Sequence, residues 1–261
     1  MLGNNDVHLW TWHYTQFDPA TLLAYRSLLT EDERQQIGRF RFENDQIRYL
    51  VTRAMLRTTL SRYADLPPSE WRFDYNPYGQ PRISSRLPGA DWLQFNLSHT
   101  KSLIVLAVAR HTQLGVDVEN FVSRPAPLDI ASHFFAADEA DQLARLPPEA
   151  QQRQFYEYWT LKESYIKARG MGLSIPLDQF WFSFPCQRSL DMQVHAELSD
   201  DPTRWLFWSM NPFPEYLLSL CVERISRIPP RLKMMRTAPG TAEPVAMDPV
   251  PVRTSRCLSA V

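Results

Sequence analysis

The sequence predicts an α+β fold in two halves, on three observations. Helical spacing of apolar residues recurs twice, over Glu43 to Tyr63 and over Phe155 to Gly172, once in each half. Short runs rich in β-branched and aromatic residues surround both helices: Val7 to His13, Leu103 to Ala109 and Leu114 to Glu119, then Phe180 to Phe184, Trp205 to Met210 and Leu217 to Val222. After Arg227 the periodicity stops and six prolines fall within the last 33 residues. This divides the chain into an N-terminal half at 1–113, a C-terminal half at 114–228 and a tail at 229–261, read as disordered.

With 261 residues, 44% hydrophobic and 22% charged, the chain can bury a sizeable core and has the balance of a soluble globular protein. A net charge of −1 gives no bulk electrostatic case for nucleic acid or an anionic membrane. Anionic ligands must therefore be met by local charge. The longest apolar run, Leu103 to Ala109, is far too short to span a bilayer, and the N-terminus lacks the basic-then-apolar pattern of a signal peptide, so a cytoplasmic protein is expected. Cys186, Cys221 and Cys257 are odd in number and widely spaced, which indicates neither a disulfide framework nor a zinc site. Lysine is rare: 24 of the basic residues are Arg, and of the four Lys, two (Lys162 and Lys167) fall in one helix.

In chain order, Val7 to His13 alternates as a first strand, Asp18-Pro19 opens a helix, and Thr30 with Glu33 forms a capping box for the next. Over Glu43 to Tyr63, Ile47, Leu50, Ala54 and Leu60 make an apolar stripe that leaves Arg48, Arg53, Arg57 and Arg62 for a solvated surface. Trp71 to Tyr75 reads as a strand leading to a turn at Asn76-Pro77-Tyr78-Gly79. Phe95-Asn96-Leu97-Ser98-His99-Thr100 feeds the buried strand Leu103 to Ala109, with Ser98 and His99 at its entrance, where a hydroxyl, an imidazole and backbone amides could hold a phosphate. A turn at His111 to Gln113 then suggests a hairpin into Leu114 to Glu119. There, Asp117 and Glu119 lie at i and i+2 and share one strand face, while Val116 and Val118 fill the other. Two adjacent carboxylates repel unless a cation lies between them, and hard oxygen ligands on a rigid face suit Mg²⁺. A solvated acidic edge is the bland alternative. In the second half a helical stretch covers Phe134 to Glu139. The long helix after it carries Glu163 and Lys167 four apart on one side, and Phe155, Trp159, Lys162 and Ile166 along another. Phe180 to Phe184, Gln193 to Leu198, Trp205 to Met210 and Leu217 to Val222 read as an antiparallel sheet.

Taken together, Phe95-Asn96-Leu97-Ser98-His99, Gly115-Val116-Asp117-Val118-Glu119 and Trp159-Thr160-Leu161-Lys162-Glu163-Ser164-Tyr165-Ile166-Lys167 with Gly170 and Gly172 resemble the three signature motifs of the 4'-phosphopantetheinyl transferase superfamily. Their order and spacing are similar to the larger, surfactin-type members, and the resemblance covers roughly residues 5 to 225. It implies two pseudo-repeated halves, each a small, mostly antiparallel sheet with a long helix, and a ligand cleft between them within one monomeric chain. It implies transfer of 4'-phosphopantetheine from coenzyme A to a serine of apo acyl or peptidyl carrier proteins of fatty acid, polyketide or nonribosomal peptide biosynthesis. Asp117, Glu119 and Glu163 would hold Mg²⁺. Glu163, Lys167 and Asp117 would be the catalytic set, with Glu163 taking the serine proton. Ser98, His99, Lys162, Lys167, Gly79, Gln80, Arg39 and Arg48 would contact coenzyme A.

Two departures from the family pattern stand out. Gln80 follows the glycine of the Tyr-Gly turn where a Lys is usual, and Glu33 and Gln36 occupy positions before Arg39-Phe40 where basic residues are expected. Arg34, Arg39 or Arg48 would then supply charge for the 3'-phosphate. Two other classes of function fit parts of the pattern: a scaffold that binds coenzyme A or carriers without transfer, and a Mg²⁺-dependent phosphohydrolase with water as nucleophile.

Overall fold

The computed structural model describes residues 2–14, 17–237, 243–255 and 258, apart from the side chain of residue 173. Cys257 and parts of the tail lie outside the described residues.

Strand β1 (Asp6–His13) is followed by helices α1 (Pro19–Ser27), α2 (Glu31–Ile37) and α3 (Glu43–Leu60). Asp18 caps α1 by accepting from the Thr21 amide, and Thr30 and Glu33 close the capping box of α2. A two-stranded ribbon, β2 (Phe73–Tyr75) with β3 (Pro81–Ile83), turns at Gly79, whose φ of +83° needs a residue without a Cβ. Then come β4 (Leu93–Thr100), β5 (Leu103–Arg110) and β6 (Leu114–Asn120). The second half adds α4 (Leu128–Phe134), α5 (Ala137–Arg145), α6 (Pro148–Arg169), β7 (Phe180–Cys186), β8 (Ser189–Val194), β9 (Trp205–Met210) and β10 (Tyr216–Glu223). The helical stretch around Phe134 is thus two helices, broken where Phe135 and Ala136 adopt extended backbone.

These strands make two larger sheets lying face to face, with a helix on each outer side. Period-2 alternation assigns every residue of β5 before Arg110 to a core: Leu103, Val105, Ala107 and Ala109 face the second sheet, and Ile104, Leu106 and Val108 face α3. That is why its sequence is an unbroken apolar run. β10 behaves alike, with Leu218, Leu220 and Val222 between the sheets and Leu217 and Cys221 against α6. On α6, Phe155 stacks on Phe135, Tyr158 on Phe184, and Tyr165 packs against Phe180, in one core cluster with Phe182 and Phe207.

Three expectations are corrected. β5 and β6 are no hairpin: β5 lies between β1 and β4, whereas β6 pairs with β10 at the edge of the other sheet, so the chain crosses between sheets at His111 to Gln113. The tail is not disordered over its described residues. Strand β11 (Arg231–Thr237) runs parallel to β1, β12 (Val245–Met247) pairs with β11, and β13 (Pro251–Ser255) inserts between β9 and β8. Buried Met234 and Ser255 anchor it, too few apolar residues to register as periodicity. Finally, Arg53 and Arg57 of α3 are buried rather than solvated, because Glu33 of α2 lies 2.6 Å from Arg57 and the carbonyls of Pro68 and Trp71 accept its other hydrogens.

Candidate active site

The site forms where the edge strand of one sheet meets the edge strand of the other. β4 ends the first sheet, β6 ends the second, and α6 lies across β6. The close approach of α6 depends on Gly115: a Cβ there would lie 2.0 Å from the Ser164 carbonyl oxygen and 2.3 Å from the Ala168 nitrogen. Val116 and Val118 bury themselves between the sheets, which turns Asp117 and Glu119 toward β4 and α6.

Asp117 is buried and Oδ1 is its engaged oxygen. It accepts from Ser98 Oγ at 2.8 Å and from Lys167 Nζ at 2.6 Å. Lys167 Nζ also donates to Ser98 Oγ at 3.1 Å. Asp117 Oδ2 is buried without a hydrogen-bond partner. Glu119 accepts from Thr100 Oγ1 at 3.1 Å and from Arg124 at 3.3 Å. Burial, with the Asp117 carboxylate next in importance, raises its pKa. The same causes act more strongly on Glu163: burial and then Asp117 push it up to about 7, although the Lys167 ammonium pulls the other way.

Lys167, Glu163, Gly79 and Gln80 line one cleft of about 270 Å³ with Tyr78 and Gly170. The turn that carries Gly79 also holds the end of α6: Gln80 Nε2 donates to the Lys167 carbonyl at 2.7 Å, and Asn76 Nδ2 to the Gly170 carbonyl at 2.6 Å. Gly170 ends α6 at a φ of +66°, in the left-handed conformation usual for a helix C-terminus. His99, next to Ser98 on β4, has an exposed side chain, and its pKa is lowered by partial desolvation and then by the Arg48 cation. Arg48 is held by Asp45 at 2.8 Å.

Other expected contacts lie elsewhere. Lys162 is fully buried on the far side of α6, 2.7 Å from Glu139 of α5, and donates to the carbonyls of Leu177 and Phe180. Its three hydrogens are thereby used, which leaves nothing to offer coenzyme A. Ser98 has likewise spent its hydroxyl: the proton goes to Asp117, and the lone pairs accept from the Val118 amide and Lys167. Arg39 is exposed beside Gln36, and Arg34 turns back to Glu31 and the Leu29 carbonyl. Thr100, Asn96, Asn76 and Arg124 were not expected here. The polar alternation Asn96, Ser98, Thr100 on β4 was a visible signal for the first two.

The donor chemistry fits a hard divalent cation. Asp117 has an unpartnered buried oxygen, and Glu119 and Glu163 have pKa values raised by burial and then by the Asp117 carboxylate, a repulsion that a cation would relieve. As the side chains stand, no three His, Cys, Asp or Glu residues among the described ones are gathered closely enough to grip an ion, and the Lys167 ammonium rests on Asp117.

A strand-borne acidic pair thus meets a Glu/Lys helix at a seam between two sheets, and comparison with known proteins gives the family. Residues 113–221 match the model of the 4'-phosphopantetheinyl transferase superfamily, and residues 11–111 match that of the N-terminal region of 4'-phosphopantetheinyl transferase. The chain belongs to this family. It is similar to the 4'-phosphopantetheinyl transferase Sfp of Bacillus subtilis, 32% identical over 76% of this chain and 83% of that protein. It is also similar to the 4'-phosphopantetheinyl transferase HetI of Nostoc sp., 34% identical over 66% and 72% respectively. A Synechocystis sp. relative, slr0495, is 33% identical over 62% of this chain, which spans just under two thirds (65%) of that relative's length.

Proposed function

We propose that this chain transfers the 4'-phosphopantetheine group of coenzyme A to a serine of apo acyl or peptidyl carrier proteins, acting as a Mg²⁺-dependent cytoplasmic monomer without nucleic acid or membrane. The observation that carries this reading is the convergence of Asp117, Ser98 and Lys167 within 2.6–3.1 Å of one another, with Glu163 and Glu119 beside them, along the seam between the halves 1–113 and 114–228. Coenzyme A would lie in the cleft beside Gly79 and Gln80, its phosphates toward Lys167, with His99 and Arg48 as further contacts.

In the reaction the serine oxygen bonds to the phosphorus nearer pantetheine, and the bond from that phosphorus to the bridging diphosphate oxygen breaks. Adenosine 3',5'-bisphosphate leaves. Glu163 takes the serine proton; burial, and then the Asp117 carboxylate, raise its proton affinity above that of an ordinary carboxylate. Lys167, anchored by Asp117 and Ser98, meets charge developing on the phosphate oxygens without reorganising. Mg²⁺ held by Asp117, Glu119 and Glu163 would neutralise diphosphate charge when bound. The test is product analysis: adenosine 3',5'-bisphosphate should appear only when coenzyme A and an apo carrier are both present. Release without a carrier would favour the phosphohydrolase instead.

A further inference from the structure

An edge strand ordinarily leaves alternate N–H groups to water. β6 does not. On the side away from β10, the amides of Val116, Val118 and Asn120 donate to Asn96 Oδ1 at 2.9 Å, Ser98 Oγ at 3.3 Å and Thr100 Oγ1 at 3.3 Å. The acceptors are side chains at i, i+2 and i+4 of β4, so they share one face and match the spacing of the amides they meet. The backbone of β4 is already paired with β5 on its other side.

The pattern has a second layer. Ser98 accepts from Val118 N and donates to the carboxylate of the preceding residue, Asp117, at 2.8 Å. Thr100 repeats this one step along: it accepts from Asn120 N and donates to Glu119 Oε2 at 3.1 Å. At the first step the preceding residue is Gly115, which has no side chain to hold, and Asn96 serves the amide alone. Each hydroxyl thus fixes both the register of β6 and the direction of one carboxylate.

We infer that Asn96, Ser98 and Thr100 act as a surrogate strand for β6, and that Thr100 is a positioning residue which aims Glu119 toward the cation. Thr100 meets Glu119 through Oε2, and the exposed Arg124 reaches Oε1 at 3.3 Å; each carboxylate oxygen keeps lone pairs to spare for a metal. A hydroxyl behind a ligating carboxylate restricts its rotation, and loss of such a partner typically weakens metal binding by tenfold or more. The inference rests on the transferase reading for its purpose, but its geometry can be tested apart from activity.

The test compares the full chain with Thr100→Val, which keeps the shape and removes the hydroxyl, and Thr100→Ser, which keeps the hydroxyl and removes the methyl. Mn²⁺ alone, titrated by electron paramagnetic resonance, reads the carboxylate site, and hydrogen exchange reads the Asn120 amide. Thr100→Val should weaken Mn²⁺ about tenfold and speed Asn120 exchange, while Thr100→Ser stays within about twofold of wild type on both. The apparent Mg²⁺ requirement for transfer should rise in Thr100→Val. Unaltered Mn²⁺ affinity in Thr100→Val, or equal weakening in Thr100→Ser, would overturn the inference. If wild type modifies no carrier yet Thr100→Val still weakens Mn²⁺, the transferase reading fails and the positioning role stands.

Discussion

Gly115→Ala is the most severe small change the structure offers. The new Cβ would meet the Ser164 oxygen at 2.0 Å, the Ala168 nitrogen at 2.3 Å and the Lys167 carbonyl carbon at 2.9 Å. All three are backbone atoms of α6, so no rotamer can relieve the contact, and the helix must retreat on the order of 1 Å or more from β6. Overpacking of this kind costs about 3 kcal/mol, which for a chain of this size lowers the melting temperature by roughly 6–12 °C. The same retreat carries Lys167 away from Asp117, now 2.6 Å distant. A displacement of about 1 Å in a catalytic constellation costs on the order of a hundredfold in rate. Urea denaturation and a steady-state transfer assay would read the two effects separately. Stability within about 0.5 kcal/mol of wild type together with an unchanged rate would refute the reasoning, because it would mean that α6 does not rest on Gly115.

Lys162→Met strands the Glu139 carboxylate in the core and should cost about 3–5 kcal/mol by urea denaturation, with most of it recovered by adding Glu139→Leu; a weakened coenzyme A affinity in the folded double variant would contradict the purely internal placement of Lys162. His8 is buried, and desolvation lowers its pKa to about 4, so below pH 6.5 the unfolded chain takes up a proton that the native ring refuses. Stability should therefore fall as pH drops from about 6.5 toward 4, by about 2 kcal/mol from this group, and urea midpoints at pH 7 and 4.5 should differ less in His8→Gln than in wild type. Gln80 is spent on the Lys167 carbonyl and Glu33 on Arg57, so coenzyme A should bind less tightly than in a member with lysines at both places; a submicromolar dissociation constant by calorimetry would count against this.

The parts of the fold legible in the sequence are those where one short stretch carries its own period. Gly115 to Glu119 shows alternation in five residues, and Thr30 with Glu33 announces a helix start. What depends on partners far away was not legible. Arg57 looks like a surface residue until Glu33, 24 positions earlier, is folded against it. Lys162 sits beside Glu163 in sequence, yet the roughly 100° step of a helix turns it onto a different face, against Glu139. The tail strand Arg231–Thr237 is amphipathic in only two or three residues and takes its stability from pairing with β1, a partner more than 200 residues away. In the site, the alternation of Asp117 and Glu119 placed both carboxylates on one face, but which hydroxyls would meet them depends on two edge strands lying side by side, a relation that no local spacing encodes.

The transferase reading meets its most direct test in intact-mass spectrometry of an apo carrier protein incubated with coenzyme A and Mg²⁺, with wild type beside Asp117→Ala and Lys167→Ala. The account predicts a mass gain of one phosphopantetheine group with wild type, none with Asp117→Ala and a strongly slowed gain with Lys167→Ala. Carriers from primary and secondary pathways that all remain unmodified, while coenzyme A still binds, would contradict it and leave a coenzyme A-binding scaffold in its place.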